Sequence, residues 1–201
     1  MIARYFKPVG VIAAVPLLVM AACQSAPTRV FTLEPVVPRS IANPYSGPPI
    51  RIDAVHIPPA LDRIEILSEV APGEFKVSDL DHWVAPLGQV ARQTLTADLI
   101  ARLPQGRVIF PHLTKPAGAI GVSVDLLAFS ADREGAKLHV SWVGTSDGSQ
   151  PQSCGGTMVL QTTLPGAGSA ATASALSTLL AQLADRIVAE LMLLAPLEPA
   201  S

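Results

Sequence analysis

Alternating apolar and polar residues predict several β-strands along this chain. The alternation first becomes regular in residues 50–57, and a pair of prolines ends the run. A period of two residues is typical of a strand. The residues that share one face of this predicted strand are Ile50, Ile52, Ala54 and His56. Two shorter runs, RIEILSEV and EFKV, flank the turn sequence APG and predict a pair of strands.

Three more strands are predicted in the second half of the chain. The runs GVSVDLLAF and KLHVSWVGT flank REG, which suits a hairpin turn, and TMVLQTTL follows a loop rich in Gly and Ser. Consecutive strands with short polar turns indicate an antiparallel meander with one face toward water. The residues expected on one face of the first two strands are Val122, Val124, Leu126 and Ala128, then Leu138, Val140 and Trp142.

Two segments show the spacing of amphipathic helices. The first follows Pro86, which suits a first helical turn, and ends before Pro104; the second covers about residues 170–194 and is stopped by Pro196. In the first helix, the apolar residues are Leu87, Val90, Ala91, Leu95, Leu99 and Leu103, and the polar side is expected to hold Gln89, Arg92, Gln93 and Asp98. In the second helix, the apolar stripe comprises Leu176, Leu179, Leu180, Leu183, Ile187, Leu191 and Leu194.

Burial of these apolar faces against one another gives an α+β fold. We predict a mainly antiparallel sheet with two amphipathic helices packed on one face. The chain shows no internal repeat, so a single domain over residues 31–196 with a short tail at 197–201 is the economical interpretation.

The amino terminus has the three parts of a secretory signal peptide. Arg4 and Lys7 precede an apolar stretch at residues 9–19, and small residues follow it. A transmembrane helix needs about 20 apolar residues, and this stretch is shorter. We therefore expect residues 1–22 to be removed and residues 23–30 to form a flexible tether.

A cysteine directly follows the small residues. The sequence Met20-Ala21-Ala22-Cys23 resembles the lipobox of bacterial lipoproteins, with Met20 where Leu is usual. The resemblance implies that Cys23 receives a thioether-linked diacylglycerol and, after cleavage, an acylated amine. Gln24 is not the Asp that typically retains lipoproteins at the inner membrane, so the resemblance implies an outer-membrane anchor with the domain facing the periplasm. The alternative is an ordinary cleaved signal peptide with an incidental cysteine.

Composition argues against nucleic acid as a partner. Removal of residues 1–22 leaves 12 basic and 16 acidic residues, which changes the net charge from −2 to −4. A mildly acidic surface gives no electrostatic footprint for nucleic acid. Aromatic residues make up only 4% of the chain, which is too few for stacking along a single strand. Besides Cys23, only Cys154 remains, so no internal disulfide is expected.

We expect no catalytic, cofactor or metal site. Residues 144–148 fit the G-x-S-x-G pattern of hydrolases, but no helix can follow Ser146 and every histidine precedes it. The four histidines lack metal-ligand spacing, and Cys154 is expected to be a buried hydrophobe rather than a nucleophile. Asp79 and Asp81 lie near the predicted start of the first helix, where acids oppose the helix dipole. The chain is therefore predicted not to be an enzyme.

Two stretches, VHIPPALDRIEIL at 55–67 and HWVAPLGQVARQTLTADLIARLP at 82–104, are more specific than amphipathicity requires. Together with the lipobox and an early Phe-x-Leu, they resemble the auxiliary lipoprotein family of ABC-type transporters. That family has a strand that ends in Pro–Leu-Asp-Arg and a Trp-x-x-Pro-Leu motif that opens a helix. The matching residues are Phe31, Leu33, Pro58, Leu61, Asp62, Arg63, Trp83, Pro86, Leu87, Asp98, Leu99, Leu103 and Pro104. This sequence departs from the family pattern at residues 64–65, which are Ile-Glu instead of Pro-Gln, and at residues 82–85, which are His-Trp-Val-Ala instead of Arg-Trp-Ala-Glu. If these residues contact a partner, the choice of partner is expected to differ.

The resemblance implies a non-catalytic docking or scaffold component. Its partners would be an MCE-domain protein and ABC-type or other membrane permeases that carry lipid between the two membranes, and a homo-oligomer is compatible with that role. Two alternatives stay open: an assembly partner of an outer-membrane β-barrel of the lipopolysaccharide-export type, and a periplasmic hydrolase. The residues expected to serve either the fold or a partner are Leu61, Asp62, Arg63, Trp83, Pro86 and Leu87.

Overall fold

A computed structural model of the chain describes residues 26–38, 45–147 and 151–194. The predicted signal peptide, Cys23 and the predicted tail lie outside these residues. The strands are β1 (Arg29–Phe31), β2 (Ile50–His56), β3 (Glu65–Ala71), β4 (Glu74–Trp83), β5 (Val108–Ile109), β6 (Ile120–Ala131), β7 (Ala136–Ser146) and β8 (Ser153–Thr162). The helices are α1 (Leu87–Arg102) and α2 (Ser169–Leu194).

The strands form two mixed sheets, one with the order β5-β2-β6-β7-β8 and one with the order β1-β4-β3. The meander β6-β7-β8 and the hairpin β3-β4 are antiparallel, as predicted. The pairs β1-β4, β2-β5 and β2-β6 are parallel. The α+β class is confirmed, but the antiparallel description holds only in part. The chain returns from β2 through α1 to β5 and β6, and a crossover of this kind places the strands parallel.

A β-bulge in β2 changes which of its side chains face the core. Ile50 and Ile52 are fully buried, as their shared face predicts. The register with β6 then shifts before Ala54, and Val55 packs against the core while His56 is exposed. Because a bulge adds one residue to a strand, the alternation reverses beyond it. The predicted grouping of Ala54 and His56 with the two isoleucines is therefore wrong.

The same kind of correction applies to β6. Its register shifts between Leu126 and Ala128, so Phe129 rather than Ala128 is buried in the core. The neighbouring strand β7 pairs with β8 without any register shift. Its predicted apolar face is confirmed, since Leu138, Val140 and Trp142 are buried.

Both helices bury the predicted apolar faces against each other and against the five-stranded sheet. The six apolar residues predicted for the first helix are all buried, and so is the stripe of α2 from Leu176 to Leu191. The side chain of Leu194 lies outside the described part of the chain. Asp98 is the exception: it was expected on the polar side of α1, but it is completely buried between the N-terminal segment and the helices.

Strand β4 is longer than predicted. It continues to Trp83, so Asp79 and Asp81 lie in a strand and the helix-dipole explanation for them is wrong. The end of β4 pairs in parallel with β1, which begins at Arg29 within the range predicted as tether.

Candidate functional site

The motif residues meet at the start of α1, where a loop caps the helix. Pro86 occupies the N-cap position and provides no side-chain hydrogen bond. Asp62, in the loop after β2, takes over this role: its Oδ1 accepts a hydrogen bond of 2.9 Å from the backbone N–H of Gly88. The amides of Leu61 and Asp62 both donate to the carbonyl of Pro58, which closes the loop. The two sequence motifs therefore form one structural unit.

Gly88 allows the loop to approach the helix this closely. A Cβ atom at this position would lie 3.2 Å from Oδ1 of Asp62 and 3.1 Å from Cγ2 of Ile57. A larger residue would have to displace the loop and lengthen the capping hydrogen bond.

Three apolar motif residues attach this unit to the core. Trp83, at the end of β4, donates its backbone N–H to the carbonyl of Ile64, and its side chain is buried. Leu87, the first residue of α1, is also buried. Leu61 is half-buried and lines the same small cleft as these two side chains. The structure thus brings all three together in packing positions.

Arg63 and Pro86 lie at the surface of the unit. The guanidinium of Arg63 pairs with the carboxylate of Glu65 at 3.2 Å and lowers the pKa of that carboxyl below its ordinary value. An exposed pair of this kind contributes little to stability. Both surface residues are accessible to a partner, and their role in binding stays a prediction.

An open groove of about 830 Å³ begins beside this unit and follows the polar side of α1. We call it the α1 groove. Its other walls are the bulged part of β2 and the loop that follows β5. The residues that matter most for its chemistry are Asp53, Val55, Asp62, Arg92, Ile100 and Phe110.

Three residues of the α1 groove were not singled out by the sequence as site residues. Ile100 and Phe110 expose 43% and 50% of their surface. Arg92 donates from Nη2 to the carbonyl of Ile52 at 3.3 Å, while its Nε is buried and has no hydrogen-bond partner among the described residues. The sequence contains one indication that Arg92 is a site residue. The residues four positions before and after it are a glycine and a threonine, so it has no i,i+4 carboxylate partner in α1.

The segment that follows the predicted tether is attached to the fold at Asp81. The carboxylate of Asp81 accepts two hydrogen bonds from Arg29, of 2.7 and 2.6 Å, and a third from the hydroxyl of Ser169, the first residue of α2. The Arg29 guanidinium, with the Ser169 hydroxyl, holds the pKa of Asp81 below its ordinary value. β1, β4 and α2 are thereby joined at one carboxylate.

A second attachment is buried between the N-terminal segment and both helices. Oδ1 of Asp98 accepts hydrogen bonds from the amide of Val36 at 2.9 Å and from Arg102 at 3.2 Å. Arg102 also donates to Asp185 of α2 at 2.7 Å. Burial raises the pKa of Asp98 to about 6, although the Val36 amide and Arg102 act in the opposite direction. A residue predicted to face solvent therefore links three segments.

Ser146 and Cys154, the two candidate nucleophiles, lie on either side of the β7–β8 connection. The Ser146 hydroxyl accepts a hydrogen bond from the amide of Gln152, and the chain continues into β8 rather than a helix. Cys154 packs against the core, and burial raises the pKa of its thiol, which disfavours the reactive thiolate. Within the described ranges, no cluster of three potential metal ligands occurs. Neither described helix combines the length and hydropathy needed to cross a bilayer.

Residues 31–188 match a protein family described as the ABC-type transport auxiliary lipoprotein component. The fold is similar to the crystal structure of an uncharacterized protein, with a TM-score of 0.68 and 16% identity over 82% of this chain and 98% of that one. It is also similar to protein XCC0632 from Xanthomonas campestris, of the DUF330 family, with a TM-score of 0.65 and 15% identity over 82% of this chain and 95% of that one. At these identities the likeness shows the fold alone. No curated protein matches significantly in sequence.

Proposed function

Because the chain belongs to the ABC-type transport auxiliary lipoprotein component family, we propose that it is a non-catalytic docking component of an MCE/ABC-type lipid transport system, anchored through Cys23 to the outer membrane. The family match over residues 31–188 is the observation that carries the proposal. The outer-membrane location follows from Gln24, which is not the usual retention residue. The domain would face the periplasm.

The attachment of the N-terminal segment supports an anchoring role. Arg29 lies six residues after Cys23, so an extended tether spans about 20 Å at most and keeps the domain close to the bilayer. The contacts of Arg29 with Asp81 and of Val36 with Asp98 connect the N-terminal segment to the three-stranded sheet and to α1. Hydrogen bonds of Ser169 with Asp81 and of Arg102 with Asp185 extend the connection to α2. A force applied at the lipid anchor would therefore be transmitted through these contacts to the folded domain.

The anchor itself would be strong enough for permanent attachment. A buried methylene contributes about 0.8 kcal/mol, and one myristoyl chain gives only marginal membrane binding. Three acyl chains on Cys23 would hold the domain at one membrane.

Replacement of Cys23 tests the anchor, and the chain offers a matched control in its other cysteine. We expect the native protein and Cys154→Ser to fractionate with outer membranes and to carry the mass of the acyl groups. Cys23→Ser should lose both the added mass and the membrane association. An unmodified Cys23 thiol in native protein, or membrane retention of Cys23→Ser, would contradict the proposal.

Affinity purification from crosslinked cells tests the partner. The proposal predicts that an MCE-domain protein is recovered with the native chain and that Ser146→Ala and Cys154→Ala leave recovery and envelope phenotype unchanged. Recovery of an outer-membrane β-barrel without an MCE-domain protein would support the assembly-partner alternative instead. Loss of the phenotype in either alanine variant would support the hydrolase.

A further inference from the structure

We propose that the α1 groove binds an extended segment of a partner protein, which adds as a strand to the open edge of β2 and places a carboxylate on Arg92. This inference rests on the proposed docking function and deepens it, since it names the contact surface and the chemistry of the occupant. Three features of the groove support it: a strand edge, a guanidinium with no ion pair in the described part of the chain, and an exposed apolar pair.

The strand edge lies in the wall formed by β2. On the side away from β6, β5 pairs with β2 only at Ile50 and Arg51. Residues 52–56 continue for about 16 Å, at roughly 3.3 Å per residue, with no strand on that side in the described part of the chain. Open backbone of this kind is a template for an added strand. A segment in the groove would continue the line of β5.

Arg92 already interacts with this edge. Its Nη2 donates to the carbonyl of Ile52, but the bond is long at 3.3 Å, and Nε is buried without a partner within the described ranges. Nε lies too deep for an occupant to reach, so a ligand in the groove would bind the outer N–H groups of this half-buried guanidinium, which forms no ion pair among the described residues. A carboxylate is the ligand that fits these groups best, because its two oxygens match the geometry of the guanidinium fork.

The carboxylates that line the groove are engaged elsewhere. Asp53 pairs with Arg51 of the same strand, and its other oxygen lies 3.9 Å from Nζ of Lys115. Asp62 caps α1 through Gly88. No ion pair of Arg92 is formed in the described part of the molecule, so a carboxylate of the occupant would be free to pair with it.

The apolar pair provides contacts for the side chains of an added strand. Ile100 of α1 and Phe110 of the loop after β5 both line the groove, and about half of each side chain is exposed. Because alternate residues of a strand point to the same side, an acidic residue and an apolar residue of one segment can face different walls of the groove. The expected occupant is therefore an extended peptide with an acidic and a bulky apolar side chain.

Selection from a random twelve-residue peptide library displayed on phage, against the full-length chain in detergent, tests the proposal. We expect enriched peptides to share an acidic residue, and hydrogen exchange to slow at residues 52–56 when such a peptide is added. Arg92→Gln should weaken binding by about 10- to 100-fold, as loss of a charge-assisted hydrogen bond does. Its control is Arg186→Gln, on the exposed side of α2, which should bind as the native chain does.

A second pair of variants guards against misfolding of Arg92→Gln. Phe110→Ala should weaken binding on the order of 10-fold, whereas Leu127→Ala, equally exposed but outside the groove, should not. Absence of enriched peptides, protection elsewhere in the chain, or equal binding by both members of each pair would overturn the proposal. The selection uses neither the anchor nor a transporter, so its failure is distinct from failure to recover an MCE-domain protein.

Discussion

Asp62 accepts a hydrogen bond from the amide of Gly88, and this contact joins two motifs that lie 26 residues apart in sequence. The sequence marks both motifs but not their contact, because nothing in local periodicity shows that a loop residue replaces the missing cap of a helix that starts after proline. The burial of Asp98 could not be predicted from local periodicity either. The spacing of Asp98 places it on the polar side of α1, one turn before Arg102 of the same helix, and only the fold brings Val36 to it and buries it.

Loss of the Asp62 cap should destabilise the protein. We expect Asp62→Ala to lower the free energy of unfolding by about 1 kcal/mol, because the N–H of Gly88 loses its acceptor. Asp62→Asn, which keeps an oxygen acceptor, should recover part of this loss. The control is Arg63→Ala, which removes an exposed pair and should leave the free energy of unfolding close to that of the native chain. Urea unfolding of the three variants decides the matter; equal losses for Asp62→Ala and Arg63→Ala would refute the capping role.

The raised pKa of Asp98 predicts a pH dependence of stability. A carboxyl whose folded pKa lies at about 6, above its ordinary value of 3.8, stabilises the fold most when it is protonated. Its contribution is therefore present below about pH 4 and is lost as pH rises through 6, on the order of 3 kcal/mol in total.

Asp98→Asn should remove this component. Urea unfolding at several pH values between 4 and 7 should show a falling free energy of unfolding for the native chain relative to the variant. The other titratable groups are common to both proteins, so they cancel in the difference. Parallel pH profiles would show that Asp98 does not titrate in this range.

At the scale of elements, the sequence predicted what depends on local periodicity. The apolar faces of α1 and α2 and the β6-β7-β8 meander are as expected. The three-stranded sheet, the short β5 and the parallel pairings were not predicted, because pairing between distant strands leaves no periodic signal in either one. The bulges in β2 and β6 reverse the alternation through register with a neighbour, which the strand alone does not reveal.

The bulge in β6 can be tested by one pair of substitutions, at two positions that are separated by a single residue. Phe129 is only 2% exposed, so Phe129→Ala should lower the free energy of unfolding by about 3–5 kcal/mol, because it removes a large side chain from the core. Leu127, 49% exposed, should cost less than about 0.5 kcal/mol under the same change. Uninterrupted alternation through Leu126 and Ala128 would instead place Leu127 and Phe129 together on the outer face. Similar small losses for both variants, measured by urea unfolding, would support that simpler register.

At the scale of the whole molecule, the proposed function gives different tasks to the N-terminal segment and to the α1 groove. The N-terminal segment is attached at Asp81 and Asp98, so the proposed lipid anchor connects to the core within a few residues. The α1 groove would offer a partner an open strand edge and a guanidinium that forms no ion pair among the described residues. An anchored domain with a binding surface needs no catalytic group to hold a transporter at a membrane. The match over residues 31–188 shows that the chain belongs to the ABC-type transport auxiliary lipoprotein component family.

The most direct test of this account is the distribution of the proposed MCE-domain partner between inner and outer membranes that are separated on a density gradient. In cells with the native chain or with Cys154→Ser, we expect part of the partner to migrate with the outer membrane. In cells with Cys23→Ser, at equal levels of both proteins, this fraction should be lost. A partner that migrates identically in all three strains would contradict the claim that the chain is an anchored docking component.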